Sequence, residues 1–255
     1  MTTIARPAGL LLLSSVGALL AGAVVAVAAG LTLNPADLPA TLAAVADRPG
    51  LHLAALALDV AGWLGLLAAA LTMAGSSPAA ALTAAGSSPV TALTAAGSSP
   101  VTALTAAGSN PAAARPAAGP SPAVGAGLLA ATGLAGLLHD AGNLAVTQLT
   151  GSPVAAAAVL LVAKWMVNLA GLLWVAATVA LSRGGSRAFR STGAVAAASG
   201  LAAVVIPWTS GTAGPSVALE QAGYALHLPV MVWFAAVGLV SVTPVGRSGS
   251  AQRRR

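Results

Sequence analysis

Six stretches of this chain are apolar for long enough to cross a lipid bilayer as helices, and together they take up most of its 255 residues. A helix rises about 1.5 Å per residue, so about 20 apolar residues cover the hydrocarbon layer. The stretches run over residues 8–31, 51–74, 124–149, 154–181, 193–208 and 222–242, the fifth being the shortest. Only 6% of the residues are charged against 57% hydrophobic, where a soluble domain carries about 25% charged residues. That composition cannot build a water-facing globular surface, and the spacing leaves no room for a globular domain beside the membrane. The chain is expected to be all-α: a polytopic membrane protein with a six-helix transmembrane bundle. The first stretch has a second reading as a cleaved signal peptide, because Arg6 precedes it and Ala26-Val27-Ala28 resembles a cleavage site. Its apolar run exceeds the roughly 7–15 residues usual for such a signal, which favours a retained helix.

Arginine gives the direction. The net charge is +6, and ten of the eleven basic residues are Arg. In a soluble protein that surplus would point to nucleic acid. Here the arginines lie between and after the apolar stretches, where they orient helices and meet anionic head groups, so the lipid bilayer is the expected partner and nucleic acid is not. With the N-terminus inside, Arg6, Arg115, Arg183, Arg187, Arg190, Arg247, Arg253, Arg254 and Arg255 fall on cytoplasmic segments and only Arg48 falls outside. The expectation is a multi-pass protein of the plasma membrane with both termini cytoplasmic. Heavy Ala, Gly and Arg usage fits a bacterial inner membrane. With no cysteine, disulfides, thiolate metal sites and Cys nucleophiles are excluded. No Walker loop, dinucleotide fingerprint, HExxH or nucleophile elbow occurs, so catalysis is not the expectation.

The chain divides into residues 1–74 with the first two spans, an insert at 75–123, residues 124–246 with the other four spans, and a basic tail at 247–255. The insert repeats every eleven residues from Gly75, Gly86, Gly97 and Gly108, as GSSPAAALTAA, GSSPVTALTAA twice and GSNPAAARPAA. Each unit offers at most one Leu as a large apolar residue, too little burial to offset the entropy of ordering. Pro in every unit argues against a continuous helix. A disordered cytoplasmic linker is expected in preference to a binding repeat. In an inverted topology the Ser/Thr/Pro content would resemble a glycosylated stalk.

Five ionisable side chains, His52, Asp59, His139, Asp140 and Lys164, stand inside the apolar runs. A charge at the bilayer centre costs about 2.5–3.5 kcal/mol on insertion scales, so such groups face a bundle interior and have partners. Helix rise puts Asp59 about 12 Å, and Asp140 and Lys164 about 15 Å, from the outer surface. The expectation is that Lys164 pairs with Asp140, Asp59 or both, either as a structural ion pair or as a proton relay. Neutral polar groups gather at the same level. His139 and Asn143, and Lys164 and Asn168, stand four apart on their helices. Tyr224, His227 and Met231 follow one another at helical spacing in the last span, while Glu220 and His52 mark the outer rim. Nearly all this polarity is in the outer half, which implies a cavity open to the outside. His227 with Met231 offers imidazole and thioether, which suit Cu(I), although a lone Met at that spacing also serves packing. His52 reads chiefly as an interfacial histidine. His139 and His227 at similar depth are a candidate haem pair.

Three segments carry a family resemblance. LLVAKWMVNLAGLLWVAATVALSRGGSRAFR, residues 160–190, resembles the CopD-type copper-resistance membrane proteins, in which a Leu-rich helix carries an early Lys and ends in an Arg-rich cytoplasmic loop. YALHLPVMVWFAAVGL, residues 224–239, is similar to the family's helix with a His followed by Trp and Gly, and HLAALALDVAGWLGLL, residues 52–67, echoes it. The paired Gly that usually follows Trp is replaced by Phe234-Ala235. The resemblance implies copper handling across the membrane, with His227 and His52 as candidate ligands and Lys164 as the corresponding lysine. The leading expectation is a transport or resistance protein that binds a small cation, copper included, in an outer-facing polar cavity. The rivals are a structural or assembly protein whose buried charges only fix packing, and a small haem or quinone redox protein.

Overall fold

The computed structural model describes residues 4–31, 33–75, 122–149, 151–208 and 216–243. The repeated insert, Arg115, Gly214 and the basic tail lie outside the described residues. Every described element is helical: α1 (Arg6–Ala28), a 3-10 turn (Pro35–Asp37), α2 (Leu38–Asp47), α3 (Pro49–Gly75), α4 (Pro122–Val146), α5 (Pro153–Ser182), α6 (Arg187–Trp208) and α7 (Val217–Val242). All but the 3-10 turn and α2 are long and apolar enough to cross a membrane. The molecule is an all-α transmembrane bundle. Its outward surface suits lipid, with Val154 84%, Val195 68% and Val24 66% exposed.

Local chemistry sets the helix ends. α1 stops at Ala28, short of Leu31, because Gly30 takes a left-handed φ of 64°. Gly30 N–H then donates to Val27 O and Leu31 N–H to Ala26 O, the paired bonds of a Schellman stop. The sequence reading missed α2. Its start is held by Asn34 Oδ1 accepting from Ala36 N at 2.8 Å and Asp37 Oδ1 accepting from Ala40 N at 3.2 Å, and Asn-Pro and Asp caps are the signal that could have found it. α6 starts at Arg187 rather than 193, so the fifth span is of full length. α7 starts five residues before 222, where Ser216 Oγ accepts from Leu219 N at 3.4 Å. That early start takes Glu220 into the helix. Pro229 lies inside α7 and cannot donate to the preceding turn. Beside that break, Leu226 O accepts from Ser199 Oγ at 2.7 Å.

The six long helices pack in chain order, α1 on α3, α3 on α4, α4 on α5, α5 on α6 and α6 on α7, and α7 returns to α1. The result is a closed ring of alternating up and down helices. Small residues allow the close crossings. Gly9 and Gly238 meet backbone to backbone at the end carrying both termini, so closely that a Cβ on either would stand 2.8 Å from the other's carbonyl oxygen. From the ring's middle toward that terminal end runs a seal of aromatic side chains. Trp63 meets Trp174 edge-on with centroids 5.7 Å apart, Trp174 meets Phe234 at 5.8 Å, Phe234 meets Trp233 at 5.1 Å and Trp233 meets Phe189 at 4.9 Å. These rings sit in the main apolar core with Leu12, Leu66, Leu129 and Val230.

Candidate functional site

Above the aromatic seal, in the half of the ring remote from the termini, lies a cavity of about 280 Å³. Its walls mix Leu, Ala and Val with polar and ionisable side chains, and Trp63 and Trp174 stand at the base. The sequence reading expects this space to open to the outside. The connection between α1 and α3 packs at this end of it, and Leu31 and Leu33, 3% and 8% exposed, form part of its roof. Reciprocal bonds hold the roof: Asn34 N–H donates to Thr41 Oγ1 at 3.1 Å, and the Thr41 hydroxyl donates to Asn34 O at 2.9 Å. Leu33 packs with Val45, Val146 and Leu160, and the Arg48 guanidinium donates to Ala29 O.

The pairing of Lys164 corrects the sequence reading. Lys164 bridges from α5 to Glu220 on α7, and neither Asp140 nor Asp59 is its partner. Both members line the cavity, with the Glu220 side chain 6% and the Lys164 side chain 18% exposed. Glu220 Oε1 takes the ammonium while Oε2 has no partner. Glu220 was assigned to the rim because α7 was expected to begin at 222. Its capped start at Ser216 was the missed signal.

The two aspartates stand on the other side. Asp59 lines the cavity with its Oδ1 against Gly22 of α1, where no other residue type would leave room for it. It has no hydrogen-bond or ion-pair partner among the described residues. Asp140 is 2% exposed, and both its carboxyl oxygens lack a partner. Gly133 and Gly136 of α4 pack on Trp63 and Leu67 of α3, and Asp140 and Asn143 continue that stripe at helical spacing. Asp140 therefore points to the α3–α4 interface, close enough to Asp59 for the two carboxyl groups to interact, and away from the cavity wall. Equal depth did bring the three charges level, but not to one point.

The histidines differ in what they leave free. His139 Nδ1–H donates to Ala163 O at 2.8 Å, and its Nε2 accepts from Asn143 Nδ2 at 2.9 Å. Both ring nitrogens are thus engaged, and His139 as bonded offers no lone pair to haem iron or another metal. His52, in the first turn of α3, is buried at 3% exposure, and its Nε2 has no partner. His227 Nδ1–H donates to Gly223 O at 3.3 Å. Its Nε2 turns toward Gly171, where an added Cβ would stand 3.1 Å away. Met231, one turn further along α7, lines the same cavity, as do Asn168, one turn beyond Lys164, and Tyr224, which lies within electrostatic reach of Glu220 and Asp59. No group of three His, Cys, Asp or Glu close enough to hold a metal ion occurs among the described residues. The expected soft-metal ligands His227, Met231 and His52 all line the one cavity. Comparison with known family models, curated proteins and solved structures finds no match to this chain.

Proposed function

We propose that the protein is a carrier-type transport or resistance protein that binds a small cation in its ring cavity. The observation that carries this reading is the charge arrangement of the cavity wall. Lys164 and Glu220 cancel one another across α5 and α7, which leaves Asp59 as a carboxyl group facing the cavity without a counter-charge. A carboxylate in an apolar wall gains several kcal/mol from a cation that it would not gain in water. The rival structural reading accounts for the Lys164–Glu220 pair but leaves Asp59 without a role. Copper is the first metal to test, on the CopD-type resemblance and on the shared cavity position of His227 and Met231. The expected orientation puts Arg6 and Arg190 in the cytoplasm and Arg48 outside. A reporter fused after Arg190 is then active only as a cytoplasmic reporter, and one fused after Arg48 only as an external one. The opposite pair of signals overturns the orientation.

Titration of the purified protein in lipid nanodiscs with Cu(I) and with small ammonium ions, read by tryptophan fluorescence, tests the binding reading. Trp63 and Trp174 at the base of the cavity report directly. A saturable response to a cation is expected, weakened roughly tenfold or more by Asp59→Asn, the scale of one partly desolvated charge contact. No saturable response to any cation, or an unchanged response in Asp59→Asn, overturns the proposal in favour of the structural role.

A further inference from the structure

The wall of the cavity is not closed all the way round. Three of its lining residues keep much of their surface accessible: Val27 at 48%, Tyr224 at 46% and Leu228 at 44%. All three lie on α1 or α7, the first and last helices. These two are clamped at the terminal end by the Gly9–Gly238 crossing, while their remote halves both face the cavity. Leu31 and Leu33 line the cavity at its loop end, and the aromatic rings pack beneath it. Helix rise places Tyr224 and Leu228 about 10 Å and 16 Å from the start of α7, from the outer part to about the middle of a hydrocarbon layer about 30 Å thick. The opening therefore faces acyl chains, not water.

We propose that the ring opens sideways into the lipid layer between α1 and α7, and that the ligand it takes from there is a lipophilic ammonium, a positively charged nitrogen on an apolar body. This rests on the cation reading above and names the class of cation. A bare or hydrated metal ion does not travel through hydrocarbon, so a ligand using this route needs an apolar body. At the cavity it meets Asp59 without a counter-charge. Trp63 and Trp174 add aromatic surface, to which ammonium groups are attracted. A space of about 280 Å³ is far larger than an inorganic ion needs and approaches the lower end of small-molecule sites, about 300 Å³. Val27 and Leu228 at the opening give the apolar body a continuous path from the bilayer.

The experiment uses the full chain in nanodiscs and tryptophan quenching by benzyldimethyloctylammonium. The comparison probes are its neutral analogue with carbon in place of nitrogen, tetramethylammonium and Cu(I). Because the chain has no cysteine, Val27→Cys with Leu228→Cys gives a unique pair that a bismaleimide can bridge across the opening. The proposal expects saturable binding of the lipophilic ammonium, roughly tenfold weaker in Asp59→Asn, and at least about tenfold slower entry once the bridge is made. The unbridged double variant is the reference against which the effect of the bridge is read. Leu228→Trp, which narrows the opening without chemistry, should also slow entry and keeps the test usable if the double variant fails to fold. Unchanged entry in both the bridged protein and Leu228→Trp overturns the lateral route. Binding of Cu(I) or tetramethylammonium alone overturns the lipophilic ligand while the cation reading stands. Equal binding of the neutral analogue overturns both.

Discussion

Lys164→Met should destabilise the protein by about 3–5 kcal/mol, the cost of leaving one member of a buried ion pair without its partner. The orphan in this case is Glu220, whose side chain is only 6% exposed and whose Oε2 already lacks a hydrogen bond. Adding Glu220→Gln removes the second charge and keeps the shape, so the double variant should recover most of the loss. Asp140→Asn and Asp59→Asn should give no such recovery, because neither carboxyl group touches Lys164. Thermal or SDS unfolding of the nanodisc-embedded protein, followed by tryptophan fluorescence, measures all four combinations. Recovery through Asp140→Asn in place of Glu220→Gln would show that Lys164 reaches α4 in the bilayer and that the cavity wall is misassigned. The double variant also separates stability from function: a folded Lys164→Met/Glu220→Gln protein that still binds its cation leaves Asp59 as the sole charge required.

Gly9→Val and Gly238→Val should each cost about 2–3 kcal/mol, the upper range for overpacking. Each new Cβ would lie 2.8 Å from a backbone carbonyl of the opposite helix, and backbone cannot rotate aside as a side chain can. The strain falls on the contact that closes the ring. Gly17→Ala supplies the contrast on the same helix. Nothing lies within 4 Å of the Cβ it would add, so the substitution should be neutral or should stabilise by up to about 1 kcal/mol through lower backbone entropy. Equal losses at Gly9 and Gly17 would mean that α1 does not pack on α7 at this crossing.

The contrast between these glycines shows what sequence could and could not supply. Span number and fold class were legible because a bilayer imposes a length on every apolar run. The relative level of Asp140 and Lys164 was legible for a related reason, since rise along a helix is constant. Rotation about the helix axis was not. Asp140 and Lys164 are level, yet one points to α3 and the other across the cavity to α7, and only packing determines that. Glu220 was misplaced by a boundary error of five residues, smaller than one and a half turns but enough to move a carboxylate from the rim into the cavity. The roof escaped notice because α2 is too short to register as a span, although Asn34, Asp37 and the prolines beside them carry the cap chemistry. Gly22, Gly136 and Gly171 read as composition in sequence. In the ring they are the places where Asp59, Trp63 and His227 fit.

The pairing of Lys164 with Glu220 also has a consequence for biogenesis. The two residues are 56 positions apart in the chain. At a synthesis rate of about 5–20 residues per second, Lys164 leaves the ribosome roughly 3–11 s before its counter-charge exists. α1 waits still longer, since its second neighbour is the last helix made. A lone ammonium group in hydrocarbon costs about 2.5–3.5 kcal/mol, which favours holding α5 in a hydrated or protein-lined setting until α7 arrives. Truncated nascent chains ending before Glu220 should therefore stay crosslinked to the insertion machinery through α5, and chains that include it should be released.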